Sequence, residues 1–469
     1  MGRRVGISAL ERVEALLDNP ALYAFAEVVP EQDRSVGGRP RLYPPFMWVL
    51  FDALLSVYGS GRRVESELAH PLVWGRIRNL VQRRYPAEPQ IWLPETPMRR
   101  HHYLYGRTTY LTSPEVLAEL AEIHRTHAAE QARAIGLLDE DGAGSWTHPD
   151  LSRVLHADGK VITPLFKAKP GERILNKTTG EIRSPRSEAD ASLHIEGTGE
   201  AVWGCKYVII ATRDVDANSR VILDAAYVAS SGGEAARAVE MFTRLQPHVP
   251  GAQAVVYDGA LRGVHHQQFL RHLGLMTISR VTAKVGVRNR TNKSRARVEK
   301  LVFLETKKID TTCGQIEFKL FANGGQVGVG EPNDKGEIVF VPLPRIRTHR
   351  TRDKSGLYRW YNDYRLSTPS GDATVTIRLH GNDDDRARRF NRTENIRPIA
   401  PGDADFDRLY PRRNDAESIN RHLDDTLWLR RAHTVGHHRQ TLNLLTYALG
   451  INAIAVHLHH QRHAPLTAA

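Results

Sequence analysis

The sequence has little cysteine and no long apolar segment, and each of these absences excludes some classes of protein. Its 469 residues include two cysteines, Cys205 and Cys313, too few for a disulfide framework or a cysteine-rich zinc site, so a reducing cytoplasmic compartment is expected. The opening stretch MGRRVGISALERVEALL has no apolar core of the secretory type. The most apolar segments, 46–57 and 444–456, are too short to span a bilayer and predict buried helices. No phosphate-binding G-x-x-x-x-G-K-[ST] loop is present, so ATP-driven chemistry is not indicated.

The charge balance favours an acidic partner. The formal net charge is +12 and the sequence pI is about 9.7, which points first to nucleic acid and second to an acidic membrane surface. The hydrophobic content of 41% is typical of a folded globular protein. A chain of this length is expected to form two to four domains.

Residues 1–145 are predicted to form a helical N-terminal DNA-binding domain. One apolar helix should begin at Pro44-Pro45 and end at the glycines of 59–61. Two short basic helices interrupted by a proline follow at 62–85, an arrangement typical of a helix-turn-helix. In this interpretation Arg76 and Arg78 contact DNA; the alternative is that they belong to a solvated basic face.

The later helical signals of this domain are also clear. Ser113-Pro114-Glu115 combines a capping residue, a first-turn proline and an acid at the positive end of the helix dipole. A polar, glycine-containing linker at 139–150 should end the domain.

Strand-like patterns replace helical ones after residue 151. Over 151–281 the predicted order is strand, hairpin (205–214 with 219–229), helix, strand, helix, strand, which is typical of a mixed sheet with helices on its faces. Residues 282–405 look like a β-rich insertion with basic loops. Residues 406–469 return to helices. The predicted class is α/β.

Two aspartates occupy comparable places in this layout. Asp158 lies in the first predicted strand and Asp258 at the end of the strand 253–259. Each has a neighbouring glycine, and Asp-Gly between β-branched residues is the usual signature of a tight turn. On paired parallel strands, which lie ~5 Å apart, the two carboxylates could instead share a divalent metal. Glu417, near the start of a helix, qualifies as a third acid and shares a face with Arg421 and Asp424.

At this point the chain resembles the DDE transposases of bacterial insertion sequences. Residues 39–68 are similar to the N-terminal helical region of that family, and 188–214 to the passage after its first catalytic aspartate. Tyr410, Arg413 and Glu417 reproduce the spacing of the Y-R-E-K signature. That signature has lysine where this chain has Asp424.

The resemblance implies a ribonuclease H-like mixed sheet with flanking helices, interrupted by the β-rich insertion. It implies that Asp158, Asp258 and Glu417 bind two Mg²⁺ or Mn²⁺ ions and catalyse phosphodiester cleavage and strand transfer. Tyr410 and Arg413 would contact the terminal phosphates, with Arg421 substituting for the missing lysine. From the residues alone, aromatic packing of the tyrosine and an ion pair from Arg413 to Asp415 stay open.

The expected function is therefore that of a transposase which binds inverted-repeat DNA ends and inserts them into target DNA. A homodimer on double-stranded DNA, without membrane involvement and in the bacterial cytoplasm near the nucleoid, would follow. One rival is a transposase-derived DNA-binding protein that no longer cuts, which Asp424 favours. Another is a structure-specific nuclease on the same core.

Three further motifs have simpler interpretations. The acids of 383–385 are expected in a solvated loop. The histidine-rich stretch 457–463 is expected to be a surface helix end rather than a zinc site. Trp360 and Tyr361 are expected to be core residues of the insertion, with stacking on an extruded base as the alternative.

Overall fold

The structure, a computed structural model, is mixed α/β, which confirms the predicted class. It describes a chain with several gaps, namely residues 7–30, 32, 35, 40–84, 93–195, 200–216, 218–229, 232–281, 301–311 and 314–464. The chain divides into two compact units. The first unit comprises Met1–Leu137, Gly159–Glu234 and Ala416–Ala469, and the second comprises Leu138–Asp158 and Ala235–Asp415.

The N-terminal segment of the first unit is helical, as predicted. Its helices are α1 Ala9–Leu17, α2 Pro20–Glu27, α3 Pro45–Tyr58, α4 Gly61–Leu68, α5 Pro71–Arg84, α6 Arg100–Gly106 and α7 Pro114–Ala134. Proline at the first position begins α3, and Gly59, in the left-handed conformation, ends it. Ser113 caps α7 by accepting the N–H of Val116 at 3.3 Å. The predicted break between two basic helices falls between α4 and α5, at Pro71.

Strand β1, Val154–Ile162, carries the chain from the second unit into the first. In the first unit it is followed by β2 Ile174–Leu175, β3 Ile182–Arg183, β4 Ser192–Ile195, β5 Ala201–Arg213 and β6 Arg220–Tyr227, with Glu234 beginning α8 Glu234–Leu245. Strands β5 and β6 form the predicted antiparallel hairpin, and β4 pairs antiparallel with the start of β5.

The second unit contains parallel strands. Strand β7 Ala254–Val256 is followed by α9 Gly263–Gln268, which runs on as a π-helical turn, and by β8 Met276–Ile278. The first residues of β1 pair parallel with β7, and β7 pairs parallel with β8.

The segment after β8 is rich in strands, as predicted, although residues 282–300 lie outside the described part. Its elements are β9 Val302–Thr311, β10 Gly314–Asn323, β11 Gln326–Pro332, β12 Ile338–Pro342, β13 Arg345–Arg352, β14 Tyr358–Thr368, β15 Gly371–Arg378, α10 Asp383–Ala387, α11 Arg392–Asn395 and α12 Ala404–Leu409. The strands form two antiparallel sheets, one in the order β12, β11, β10, β9 and the other in the order β13, β14, β15.

Two helices complete the described chain, α13 Arg413–Thr426 and α14 His437–His463. By length and composition alone α14 could cross a membrane, because its most apolar window has a mean hydropathy of 1.4. However, 61% of that window is buried inside the protein, and leucines of α14 share a hydrophobic core with α1 and α3. These contacts are typical of a core helix, and they confirm the prediction that 46–57 and 444–456 are buried.

Hydrogen bonds also join α14 to the N-terminal helices. The side chain of Asn19 donates to the carbonyl of Leu449 at 3.0 Å. Asp52, buried in α3, accepts from Asn443 at 2.8 Å and from Thr446 at 2.9 Å. The pKa of Asp52 is raised because burial disfavours its charged form. The hydrogen bonds from α14 therefore offset part of the free-energy cost of burying this carboxyl group.

Candidate active site

Asp158 lies within a continuous strand and not at a turn. Strand β1 runs unbroken from Val154 to Ile162, so the hairpin turn that Asp158-Gly159 favours locally is wrong at this position. Along β1 the residues are buried up to Ala157, half-buried from Asp158 to Lys160, and buried again afterwards. Because alternate residues of a strand point to the same face, Asp158 and Lys160 share one face and Gly159 points to the other.

The register between β1 and β7 relates Asp158 to Asp258. The three paired positions have a constant offset of 100 residues: Val154 with Ala254, Leu155 with Val255, and His156 with Val256. The two aspartates differ by the same 100 residues, so they occupy matching positions two residues beyond the last pair. The chain still follows β8 at Tyr257, whose N–H donates to the carbonyl of Ile278 at 3.4 Å. Paired parallel strands lie ~4.8 Å apart, so the two aspartates follow closely spaced residues, Asp158 within β1 and Asp258 just after the end of β7.

Asp258 also has a local structural role. One of its carboxylate oxygens accepts the N–H of Ala260 at 2.8 Å, the hydrogen bond with which an aspartate closes a turn. The turn interpretation is therefore right for the side chain of Asp258, at the end of β7. This hydrogen bond fixes the orientation of the carboxylate where the strand ends.

The two aspartates form a plausible donor pair for a hard divalent cation. Like charges on neighbouring strands repel each other, and a cation between them relieves that repulsion. Carboxylate oxygens are the ligands that Mg²⁺ takes in proteins. Across the described part of the chain, no three His, Cys, Asp or Glu side chains lie close enough to hold one metal ion. Asp158 and Asp258 each lie two residues beyond the last paired residues of β1 and β7, and their role as metal ligands stays a prediction.

Glu417, the third predicted acid, is an exposed residue of α13 in the first unit. The predicted face is present, since Arg421 and Asp424 follow at four and seven residues on a continuous helix. Arg421 is exposed, and Asp424 is half-buried. Glu417 and Asp424 lie on one face about 10 Å apart along the helix axis.

Lys160 is a residue that sequence reasoning missed. Its ammonium group donates to Asp424 at 2.6 Å, and the two side chains are 17% and 28% exposed. Both residues belong to the first unit, so the ion pair connects the second half of β1 to α13 within that unit. A cation is thus present beside Asp424, although the residue at 424 itself is an acid. The sequence signal was the position of Lys160 two residues after Asp158, on the same face of the strand.

The opposite face of β1 carries a second lysine–carboxylate pair, also missed. A side chain at Gly159 would meet the carboxylate of Glu234, whose nearest atoms lie 2.7 Å from an ideal Cβ. Glu234 in turn forms an ion pair with Lys206 of β5, and these side chains are 12% and 19% exposed. Glycine at 159 is therefore needed because this carboxylate occupies the space of a side chain.

Tyr410 and Arg413 lie in the second unit, next to the start of α13. Tyr410 is half-buried and stacks on Phe406 with the ring centroids 4.7 Å apart, while the guanidinium of Arg280 lies 5.2 Å from its ring. The aromatic packing that was the alternative for Tyr410 is thus confirmed. Arg412 donates to Asp415 at 3.0 Å, and the ion pair from Arg413 to Asp415 stays a prediction.

The basic residues predicted to bind DNA through α5 differ in their surroundings. Arg76 is exposed and donates to Glu14 at 2.9 Å, with 50% of the arginine side chain accessible. Arg78 is half-buried. Their position on a helix of the predicted pair is confirmed, and their role in DNA binding stays a prediction.

Trp360 belongs to the core of the strand-rich segment. It is fully buried, and its indole N–H donates to the carbonyl of Leu270 at 2.7 Å. Its neighbour Tyr361 is half-buried and stacks against His349 with centroids 5.5 Å apart. The core interpretation is confirmed for Trp360, because a residue so enclosed has no free ring face for a base.

Two comparisons with known proteins found no match. No protein-family model matches the chain, and no curated protein is significantly similar to it.

Proposed function

We propose that this protein is a Mg²⁺-dependent DDE transposase, which binds inverted-repeat DNA ends, cleaves them and transfers them to target DNA. The observation that carries the proposal is the pairing of β1 with β7, which places Asp158 and Asp258 each two residues beyond the last paired residues of these strands. Two carboxylates that share a metal ion have to lie close together, and adjacent parallel strands would bring them close.

The order of elements supports a ribonuclease H-like core. The chain forms a strand, a hairpin, a helix, a strand, a helix and a strand in the sequence β1, β5–β6, α8, β7, α9, β8. Within the second unit, β1 pairs parallel with β7 and β7 pairs parallel with β8. A strand-rich segment follows β8 before the helix that carries Glu417, which is where the resemblance expects the insertion.

Glu417 as the third acid follows from the resemblance. Asp424 shares a helix face with Glu417, and Lys160 shares a strand face with Asp158. In the proposal, Asp158, Asp258 and Glu417 would hold Mg²⁺ or Mn²⁺, two ions in all. Bound there, the metal would activate a water molecule or a DNA 3′-hydroxyl and stabilise the leaving oxygen.

Other residues of the proposal serve DNA binding. Arg413, Arg421 and Tyr410 would lie along the DNA end, with the tyrosine held by its stacking on Phe406. Arg76 and Arg78 would contact duplex phosphates, in keeping with the net charge of +12. The active form would be a homodimer on DNA, working in the cytoplasm at the nucleoid.

The non-cleaving DNA-binding protein remains the rival. Asp424 favoured it, because an acid replaces the lysine of the signature. The ion pair from Lys160 weakens that reason, since the position next to Asp424 has a lysine ammonium group. All three acids are retained, which the rival does not require.

The proposal is tested with a supercoiled plasmid that carries the DNA flanking the gene on both sides. In Mg²⁺ the purified protein should nick this plasmid at the element ends and should leave the parent plasmid intact. Asp258→Asn should abolish nicking because the amide removes one metal-binding charge while keeping the side-chain shape. Binding to the same DNA should persist.

Asp372→Asn is the matched control. Asp372 is an exposed acid of β15, 57% accessible, whose nearest ion partner is Arg365 at 3.7 Å. The Asp372→Asn variant should nick the plasmid at the wild-type rate. Equal nicking by Asp258→Asn and the wild type would overturn the catalytic assignment, and binding without nicking by the wild type would favour the rival.

A further inference from the structure

Lys160 has the surroundings of a residue that can bind a second anion. An ammonium group has three N–H donors, and the contact with Asp424 uses one of them. The side chain is 17% exposed, so part of it has access to solvent.

The position of Lys160 on the strand determines what that anion could be. Lys160 follows Asp158 by two residues on the same face of β1, about 6.6 Å along the strand. A DNA strand whose scissile phosphate reached Asp158 and Asp258 would place its neighbouring phosphate, ~6–7 Å away, beside Lys160. The lysine would then neutralise a phosphate that the acidic site would otherwise repel.

We propose that Lys160 binds the DNA phosphate adjacent to the scissile one, and that Asp424 is a positioning residue which holds the ammonium group toward it. This inference rests on the proposed function, since it needs DNA at the aspartate pair. It assigns Lys160 to substrate binding and Asp424 to the orientation of Lys160. Neither residue takes part in a bond-making step.

The second lysine–carboxylate pair provides a matched control within the same sheet. Lys206 is 19% exposed and is paired with Glu234, so its burial and partner resemble those of Lys160. It lies on the opposite face of β1, because Glu234 occupies the side-chain direction of Gly159. A phosphate at the aspartate pair would meet Lys160 and would not meet Lys206.

The test is the salt dependence of binding to a duplex oligonucleotide made from the DNA that flanks the gene. Binding is measured in Ca²⁺, which takes carboxylate oxygens as Mg²⁺ does, with recovery of intact DNA checked on a gel. Lys160→Met should reduce the log–log salt slope by about 0.9 and weaken binding about eight-fold at 0.1 M salt. Lys206→Met should leave the slope unchanged.

The positioning role of Asp424 is tested by exchanging the charges. The double variant Lys160→Asp with Asp424→Lys keeps the ion pair but supplies the ammonium group from α13. If an ammonium group at this place binds phosphate, the double variant should recover most of the slope that Lys160→Met loses. A merely structural pair would instead show recovery in thermal unfolding and no change of slope in any variant.

The outcomes separate the inference from the proposed function. A steep wild-type slope that Lys160→Met and Lys206→Met alter equally, or not at all, overturns the role of Lys160 and leaves the transposase proposal standing. A wild-type slope near zero overturns duplex binding itself, and the inference fails with it.

Discussion

Asp258 and Asp385 both belong to the second unit, and they differ in how their charge is balanced. Asp385 is 1% exposed and accepts hydrogen bonds from three guanidinium groups, those of Arg378 at 3.0 Å, Arg388 at 2.9 Å and Arg392 at 3.0 Å. Asp258 is half-buried, accepts a backbone N–H, and matches the position of another acid, Asp158. In the first region the protein supplies the compensating charge. In the second it sets two negative charges together.

The difference helps to distinguish acidic residues that stabilise the fold from those with a functional role. A buried carboxylate surrounded by arginines stabilises the fold, and losing it leaves uncompensated positive charge. Two carboxylates close to each other repel, so under the proposed function a divalent cation would balance their charge. The solvated loop predicted for 383–385 is wrong for Asp385 for this reason: its short helix places one of three consecutive acids inside an arginine cluster.

The largest expected effect is on strand cleavage and concerns Glu417, the third predicted acid. Glu417→Gln should lower the rate of strand cleavage in Mg²⁺ by about 10³-fold, which corresponds to roughly 4 kcal/mol of lost transition-state stabilisation. Thermal stability should be unchanged because Glu417 is exposed. Nicking of the flanking-DNA plasmid and thermal unfolding are measured side by side.

Asp425→Asn is the control for this variant, since it makes the same kind of change at an exposed acid of the same helix. It should cleave at the wild-type rate. If Glu417→Gln cleaved normally, the third carboxylate would have to be sought elsewhere in the chain.

Asp385→Asn should have the next largest effect, on stability rather than cleavage. It should lower the free energy of unfolding by about 3 kcal/mol, because three arginines lose their buried partner. Burial alone would raise the pKa of Asp385, but the hydrogen bonds and charge of Arg392, with those of Arg388, hold that pKa below its ordinary value. The folded-state pKa is thus lowered, so this stabilisation is present above the unfolded-state pKa near 4 and is lost as the pH falls further. Urea unfolding between pH 3 and pH 7 measures both effects.

Asp383→Asn distinguishes this mechanism from a general effect of the acidic run. Asp383 is 89% exposed and pairs with an exposed arginine, Arg386. Its loss should change the free energy of unfolding by less than about 1 kcal/mol. A variant Asp385→Asn as stable as Asp383→Asn would contradict the structural role assigned to the arginine cluster.

The smallest expected effect is on duplex binding and concerns two basic residues, Arg76 and Arg78. Alanine at both Arg76 and Arg78 should reduce the salt slope of duplex binding by up to ~1.8, or about 0.9 for each phosphate contact. Stability should change little, since the exposed pair of Arg76 with Glu14 is worth less than about 1 kcal/mol. A salt titration with flanking DNA measures the slope, and an unchanged slope would assign both arginines to the solvated face.

Local signals allowed much of the fold to be predicted. The limits of α3 followed from a proline and a glycine, the start of α7 from a serine cap, and the β5–β6 hairpin from two strand patterns around a polar turn. Each of these features depends on residues within a few positions of one another. Such signals act through the local backbone conformation.

Features that depend on distant residues could not be predicted in this way. Asp158-Gly159 has the composition of a turn, but it lies within the unbroken strand β1, whose first residues pair with β7 a hundred residues away. The contact of Lys160 with Asp424 joins residues 264 positions apart, and no spacing in the sequence predicts it. For the candidate site, the acids could be named from the sequence, while their register and the lysine beside them required the folded chain.

The first unit is built from three separated stretches of chain, and this bears on the order in which the protein can fold during synthesis. The helices of Met1–Leu137 leave the ribosome first, yet Asn443 and Thr446, which solvate the buried Asp52, are made about 390 residues later. Residues Ala235–Asp415 of the second unit are complete well before that. A chain interrupted ahead of α14 would therefore hold a finished second unit beside N-terminal helices that lack their last core helix, and it should be cleared by proteases rather than persist as a partial DNA-binding protein.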